Sequence, residues 1–161
     1  MTKLISIIMG SQSDLETVKE TINLLKEFKL GFEVKVLSAH RTPKELAEYV
    51  EGASKREIKV FIAAAGGAAA LAGVVAAHTT LPVIGIPIET KSLKGLDSLL
   101  STVQMPAGIP VASMAIGKAG AKNAALFALE ILGASDKKIQ AKLLKYKNQM
   151  RLKIKRIKLT A

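Results

Sequence analysis

From Val60 to Ile88 the chain carries no Asp, Glu, Lys or Arg. A run of that length must either cross a bilayer or be buried in protein. A membrane helix needs an unbroken ladder of backbone hydrogen bonds, and this run is broken near its start by Gly66-Gly67 and near its end by Pro82 and Pro87. It therefore reads as strand, helix and strand. The helix, about Ala68 to His78, is apolar all round and needs cover on every side. A chain of 161 residues has little to spare for that, so a subunit interface is the expected cover, with Ala69 and Gly73 small enough to let helices approach closely.

The same alternation runs along the rest of the sequence. Leu4 to Met9, Glu33 to Leu37, Val60 to Ala64, Pro82 to Ile86 and Val111 to Ile116 read as strands. Helical periods of about Asp14 to Phe28, Pro43 to Arg56, Ala68 to His78, Leu96 to Leu100 and Ala119 to Leu132 follow them. Strands alternating with helices predict a parallel sheet with crossover helices on its faces. The expected fold class is α/β: a flavodoxin-like three-layer sandwich around a five-stranded parallel sheet, strand order 2-1-3-4-5, plus a basic C-terminal helix. Ligands of such folds bind outside the carboxyl ends of the strands at the switch point, here between the first and third strands.

Charge divides the chain in two. The sequence has 24 Lys and Arg against 13 Asp and Glu, a net charge of +11. Ten of those cations and none of the acids lie between Lys137 and Lys158, which leaves residues 1–136 at +1. The expected organisation is a catalytic α/β domain over 1–136 and a basic helical extension over 137–161. In the extension Ile139, Leu143, Tyr146, Met150, Ile154 and Ile157 recur at spacings of three and four and share one face, which is expected to pack on protein with the lysines outward. There is no cysteine and there are two histidines, which removes thiolate chemistry and the usual zinc sets. Without tryptophan, and with 4% aromatic residues, the chain has few platforms for stacking bases. The start, Met1-Thr2-Lys3-Leu4-Ile5, enters a strand pattern without an apolar signal core, so a cytoplasmic address is expected.

Polar or glycine-rich segments stand at three successive strand ends. Gly10-Ser11-Gln12-Ser13-Asp14 offers a tight turn, two hydroxyls and free N–H groups at a helix start. It reads either as a phosphate or sugar cradle or as a plain cap made by Ser13 or Asp14. Ser38-Ala39-His40-Arg41-Thr42-Pro43 places a hydroxyl, an imidazole and a guanidinium in one turn. Arg41 suits a phosphate, and His40 suits proton transfer near neutrality. Ala65-Gly66-Gly67-Ala68-Ala69-Ala70 has almost no side chain; it either exposes backbone to a flat ligand or packs its helix tightly on the sheet.

These segments, with Pro82-Val83-Ile84-Gly85-Ile86-Pro87, Gly95 to Pro106 and Ala115-Ile116-Gly117-Lys118-Ala119-Gly120-Ala121, make the chain resemble the bacterial 5-(carboxyamino)imidazole ribonucleotide mutase family of purine biosynthesis from about Leu4 to Leu132. The resemblance implies transfer of a carboxylate from the exocyclic 5-amino nitrogen to ring carbon 4 through released carbon dioxide, with no metal, ATP or organic cofactor. It implies a ribonucleotide substrate and a homo-octamer with sites at subunit junctions. By position, Ser11, Ser13, Asp14, Ser38 and Arg41 would hold the ribose phosphate, with Asp14 at the sugar hydroxyls and Arg41 at the phosphate. His40 would be the general acid and base, and Ala65, Gly66 and the following loop would line the base and the trapped carbon dioxide. The chain departs from the family pattern in its third loop, where Ala70 stands for the usual histidine and Ala72 for the usual proline.

Two other readings remain open. One is a carboxylase of the same class that takes free carbon dioxide. The other is a basic nucleotide or nucleic-acid binder without catalysis, resting on the tail and marked by steep salt dependence.

Overall fold

The computed structural model describes residues 2–158. Five strands, β1 (Lys3–Met9), β2 (Gly31–Val36), β3 (Val60–Ala65), β4 (Val83–Pro87) and β5 (Ala112–Ser113), form one sheet in the order β2-β1-β3-β4-β5. All four neighbouring pairs are parallel. The helices are α1 (Leu15–Glu27), α2 (Pro43–Glu51), α3 (Leu71–Ala77), α4 (Leu96–Val103), α5 (Gly117–Gly133) and α6 (Lys137–Lys155). The expected order is therefore the observed one.

The uncharged run resolves into β3, α3 and β4, and no helix of the described residues is long and apolar enough to cross a membrane. α3 is shorter than its composition suggests. Gly67 takes a left-handed φ of 70°, and Ala69 and Ala70 donate to the carbonyls of Gly67 and Ala68, two residues back, so helical pairing starts only at Leu71. One side of α3 is covered within the chain, while Gly73 and Val74 are half-buried and Ala77 is exposed. Leu71, Ala72, Val75 and Ala76 are buried in a core shared with Leu46 and Val50 of α2 and with Ile8, Phe61, Ala63 and Val83 of the sheet. Gly85 of β4 is buried beneath α4 at a point where a Cβ would strike the Thr102 methyl.

The opposite alternation of β1, Ile5 and Ile7, is equally buried and points to the other sheet face. On α1, Val18, Leu24 and Leu25 are buried. Thr21 Oγ1, fully buried, donates to the carbonyl of Ala121 in α5 at 2.7 Å, and Ala121, Ala124, Ala125 and Ala128 present a small-residue surface that is wholly buried.

A polar clamp closes the β2 edge. Tyr49 of α2 donates to Glu33 Oε1 and lies 2.7 Å from the buried Ser6 hydroxyl of β1. Arg56 Nε donates to the same carboxylate at 3.1 Å, and its guanidinium sits 4.2 Å from the centre of the Tyr49 ring. Burial pushes the Tyr49 phenol up to about 12, reinforced by its bond to Glu33. Burial alone would raise the Glu33 carboxyl, but the hydrogen bonds from Tyr49 and Arg56 outweigh it and hold the group below its ordinary value. The signs follow from linkage. The Tyr49 contribution is complete below its ordinary value of 10 and is lost as pH rises toward about 12. The Glu33 contribution is present above the ordinary carboxylate value and is lost as acid reaches the lowered one. Tyr49→Phe is expected to cost about 1–3 kcal/mol near neutrality, because Glu33 and Ser6 each lose a partner. In thermal melts it should also flatten the loss of stability expected of the wild-type chain above pH 10; a parallel loss in both proteins would place the alkaline transition elsewhere.

By internal packing the chain divides into units of residues 1–128 and 129–161. In the second, Asp136 caps α6 by accepting from the N–H groups of Lys138 and Ile139. Ile139 and Leu143 are buried beside Gly133, whereas Met150, Ile154 and Ile157 on the same face are exposed.

Candidate active site

The carboxyl ends of the first four strands finish nearly level. Met9 pairs with Val36 on one side and with Ala64 on the other, and Ala65 pairs with Pro87. Backbone bonds carry this alignment one step further: Gly10 N–H donates to Ala64 at 3.0 Å, Leu37 N–H to Met9 at 2.9 Å and Ile88 N–H to Ala65 at 2.9 Å. The loops that follow must emerge side by side. Between them lies a cavity of about 620 Å³.

The first wall is Gly10 to Asp14. Ser11 caps a single 3-10 turn, Gln12–Asp14, through a capping box in which Ser13 N–H donates to Ser11 Oγ at 3.3 Å and Ser11 N–H donates to Asp14 Oδ2 at 3.0 Å. The cap is thus Ser11, not Ser13 or Asp14, because the turn begins three residues before α1. The Ser13 hydroxyl is shared between Ser11 Oγ at 2.9 Å and Asp14 Oδ1 at 3.3 Å. Asp14 is 6% exposed. Burial pushes its carboxyl up, opposed by the Ser11 N–H, the Ser13 hydroxyl and the nearby Arg41 charge.

The second wall is Ser38 to Arg41. Ser38 N–H donates to Thr42 Oγ1 at 2.8 Å, and that hydroxyl donates back to the Ser38 carbonyl at 3.1 Å, which closes the turn before Pro43 starts α2. The Ser38 hydroxyl accepts from Arg41 N–H at 3.2 Å and from Arg41 Nε at 3.4 Å. Arg41 Nη2 reaches across to the Gly10 carbonyl at 2.9 Å, so the guanidinium joins the first two walls and keeps further N–H groups for a ligand. His40 lines the cavity and is exposed.

Ala65, Gly66, Ala68 and Ala70 make the third wall, contributing backbone and methyl groups alone. Ser11, Ser13, Asp14, Ser38, His40, Arg41, Ala65 and Gly66 therefore line one cavity. Ala70, where the family pattern has histidine, lines it too. The second histidine does not: His78 caps the far end of α3, pairs with Glu51 at 2.9 Å and lines a different cavity with Lys59 and Leu81, at the amino ends of β3 and β4.

A fourth wall, Ile88 to Lys91, escaped the sequence reading, which stopped at three strand ends. Thr90 in it donates to Asp97 of α4 at 2.8 Å and accepts from Gly95 N–H at 3.3 Å, and Lys91 adds a second cation to the lining. Applying the strand-end rule to β4 as well would have found it.

These features define a doubly wound α/β protein whose hydroxyl- and cation-rich cavity opens at the switch point of the sheet. The chain belongs to the AIR carboxylase family, whose model matches residues 4–153. It is 57% identical over 143 residues, 89% of this chain and 88% of the relative, to the N5-carboxyaminoimidazole ribonucleotide mutase of Bacillus subtilis. It is likewise 57% identical over 147 residues, 91% of this chain and 83% of the relative, to the mutase of the same name from Pyrococcus abyssi. The crystal structure of Treponema denticola PurE superposes with a TM-score of 0.86 at 29% identity, covering 94% of each chain.

Proposed function

We propose that the chain is a purine-biosynthesis isomerase that interconverts 5-carboxyaminoimidazole ribonucleotide and 4-carboxy-5-aminoimidazole ribonucleotide. The observation that carries the reading is the convergence of two hydroxyl-bearing turns, Arg41 and His40 on one side-chain-poor wall, in a chain 57% identical to relatives named for that mutase. In this reading Ser11, Ser13, Ser38 and Arg41 hold the phosphate, and Asp14 accepts from the ribose hydroxyls with the lone pairs its cap leaves over. The flat base lies against Ala65, Gly66 and the loop to Ala70.

The proton balance then assigns His40. Cleaving the carbamate bond releases carbon dioxide and leaves the exocyclic nitrogen needing a proton, which the imidazolium donates. Carbon 4 attacks the retained carbon dioxide and must then lose its hydrogen, which the now neutral imidazole accepts. One imidazole ends as it began, and neither metal nor cofactor enters. A wall of glycine and alanine suits the step between, because nothing on it competes with the ring for carbon dioxide and the apolar surface keeps water out. In the same reading the enzyme works in the cytoplasm, where a phosphorylated substrate is retained.

The test is an ultraviolet assay in which the purified chain is given carboxyaminoimidazole ribonucleotide, or aminoimidazole ribonucleotide with bicarbonate. Rapid conversion of the first and slow conversion of the second is expected; the reverse would make the chain a carboxylase of free carbon dioxide.

The same reading makes the enzyme a closed homo-octamer. Leu96, Leu100 and Val103 are exposed, and their spacings of four and three put them on one face of α4; Leu93, in the turn before it, is exposed as well. Sedimentation should give a multiple of 17.1 kDa, and Leu96→Lys with Leu100→Lys should shift it toward the monomer. A wild-type monomer at micromolar concentration would defeat the assembly.

A further inference from the structure

The third wall has almost no side chains to offer, so whatever it presents to a ligand is set by the orientation of its backbone. α4 controls that orientation. Ser98, 0% exposed, accepts from the Gly67 N–H at 3.0 Å and donates to the Ile88 carbonyl at 2.7 Å. Its single oxygen therefore ties the third wall to the start of the fourth. One helical turn further on, the Ser101 hydroxyl donates to the Gly67 carbonyl at 3.4 Å, so both polar groups of Gly67 are held by hydroxyls of one helix face. Gly67 has a left-handed φ of 70° and open space where a Cβ would stand; its carbonyl also accepts from the Ala69 N–H at 2.8 Å, but its N–H is held by Ser98.

We infer that Ser98 is a positioning residue for the reaction: through Gly67 it fixes the loop that carries the lining residues Gly66 and Ala68 against the Ile88 to Lys91 wall, without itself reaching the substrate. The inference rests on the reading of the cavity as the isomerase site. The carbon dioxide released between the two steps is held by surface alone, so a wall free to rotate lets it escape or lets water in, and the loss falls on turnover more than on binding of the ribonucleotide, whose phosphate is held by the first two walls.

Ser98→Ala is expected to lower kcat about 10- to 100-fold, the scale of a misplaced reacting geometry, with KM within about threefold of wild type. It should also raise uncoupled release of carbon dioxide per product formed. The control is Thr102→Val on the same helix, whose hydroxyl donates only to the Ser98 carbonyl, at 2.7 Å; it tests damage to α4 without touching either wall and should leave kcat within about threefold. Amide exchange at Gly67 should accelerate in Ser98→Ala and not in Thr102→Val. Equal kcat in Ser98→Ala and wild type, or equal loss in both variants in step with their melting temperatures, would overturn the inference. If the wild-type chain fails to interconvert the isomers, the reading of the site falls, and exchange at Gly67 alone decides whether Ser98 holds the wall.

Discussion

Replacing His40 with Asn is expected to abolish most turnover while leaving ribonucleotide affinity within a few-fold of wild type. The reaction needs a proton delivered to the departing nitrogen and another removed from carbon 4. With Ala70 in the third wall and His78 paired to Glu51 at the other end of α3, His40 is the one imidazole on the cavity among the described residues. Losing a positioned general acid or base typically costs on the order of 10²- to 10⁴-fold, and a residue that serves both transfers belongs at the upper end. Asn keeps a hydrogen-bonding group of similar size, and His40 sits in a turn fixed by Ser38 and Thr42 rather than by its own ring, so the cradle should survive. Calorimetry with the ribonucleotide and absorbance at the carbon-4 isomer separate the two effects. Near-normal conversion would remove His40 from the chemistry, and lost binding with normal single-turnover rates would recast it as a substrate ligand.

Arg41→Ala acts on the other half of the problem and is expected to raise KM with a smaller change in kcat. A hydrogen bond to a charged group contributes roughly 1.5–3 kcal/mol, which corresponds to a rise of about 10- to 150-fold. The phosphate is remote from the reacting atoms, so its contact contributes to substrate and transition state alike. Part of the loss comes from the bond to Gly10, which joins the first two walls even without ligand. A cycle with the nucleoside lacking the phosphate isolates the direct part: the wild-type protein should discriminate strongly against it and the mutant little. Equal discrimination by both would show that Arg41 holds the walls but not the phosphate.

The sheet order and three of the four walls were legible in the sequence for one physical reason. Parallel strands buried on both faces read as apolar runs, and the residues just past their carboxyl ends must turn, so glycine and capping residues mark them. Where the reading slipped, the deciding contact lay far away in sequence. The second strand, read as Glu33 to Leu37, runs from Gly31 to Val36, and at Gly31 it passes so close to the neighbouring segment that a Cβ would strike the Thr2 carbonyl. The apolar stretch Val111 to Ile116 suggests a full strand, but β5 lies at the sheet edge and only Ala112 and Ser113 pair. The helix read as Pro43 to Arg56 ends at Glu51 and continues as the 3-10 stretch Gly52–Arg56, where Arg56 is drawn to Glu33 and the Tyr49 carbonyl. Ser98 matters only because Gly67 and Ile88 come to it. None of these pairings has a local signature.

A crystal structure with 4-carboxy-5-aminoimidazole ribonucleotide bound tests the account most directly. The phosphate is predicted against Ser11, Ser13, Ser38 and Arg41, the ribose hydroxyls at Asp14, and the ring along Ala65 to Ala70 with His40 within hydrogen-bond reach of the exocyclic nitrogen or of carbon 4. A ribonucleotide seated instead in the cavity at the amino ends of β3 and β4, beside Lys59 and His78, or one whose ring lies beyond the reach of His40, would contradict it.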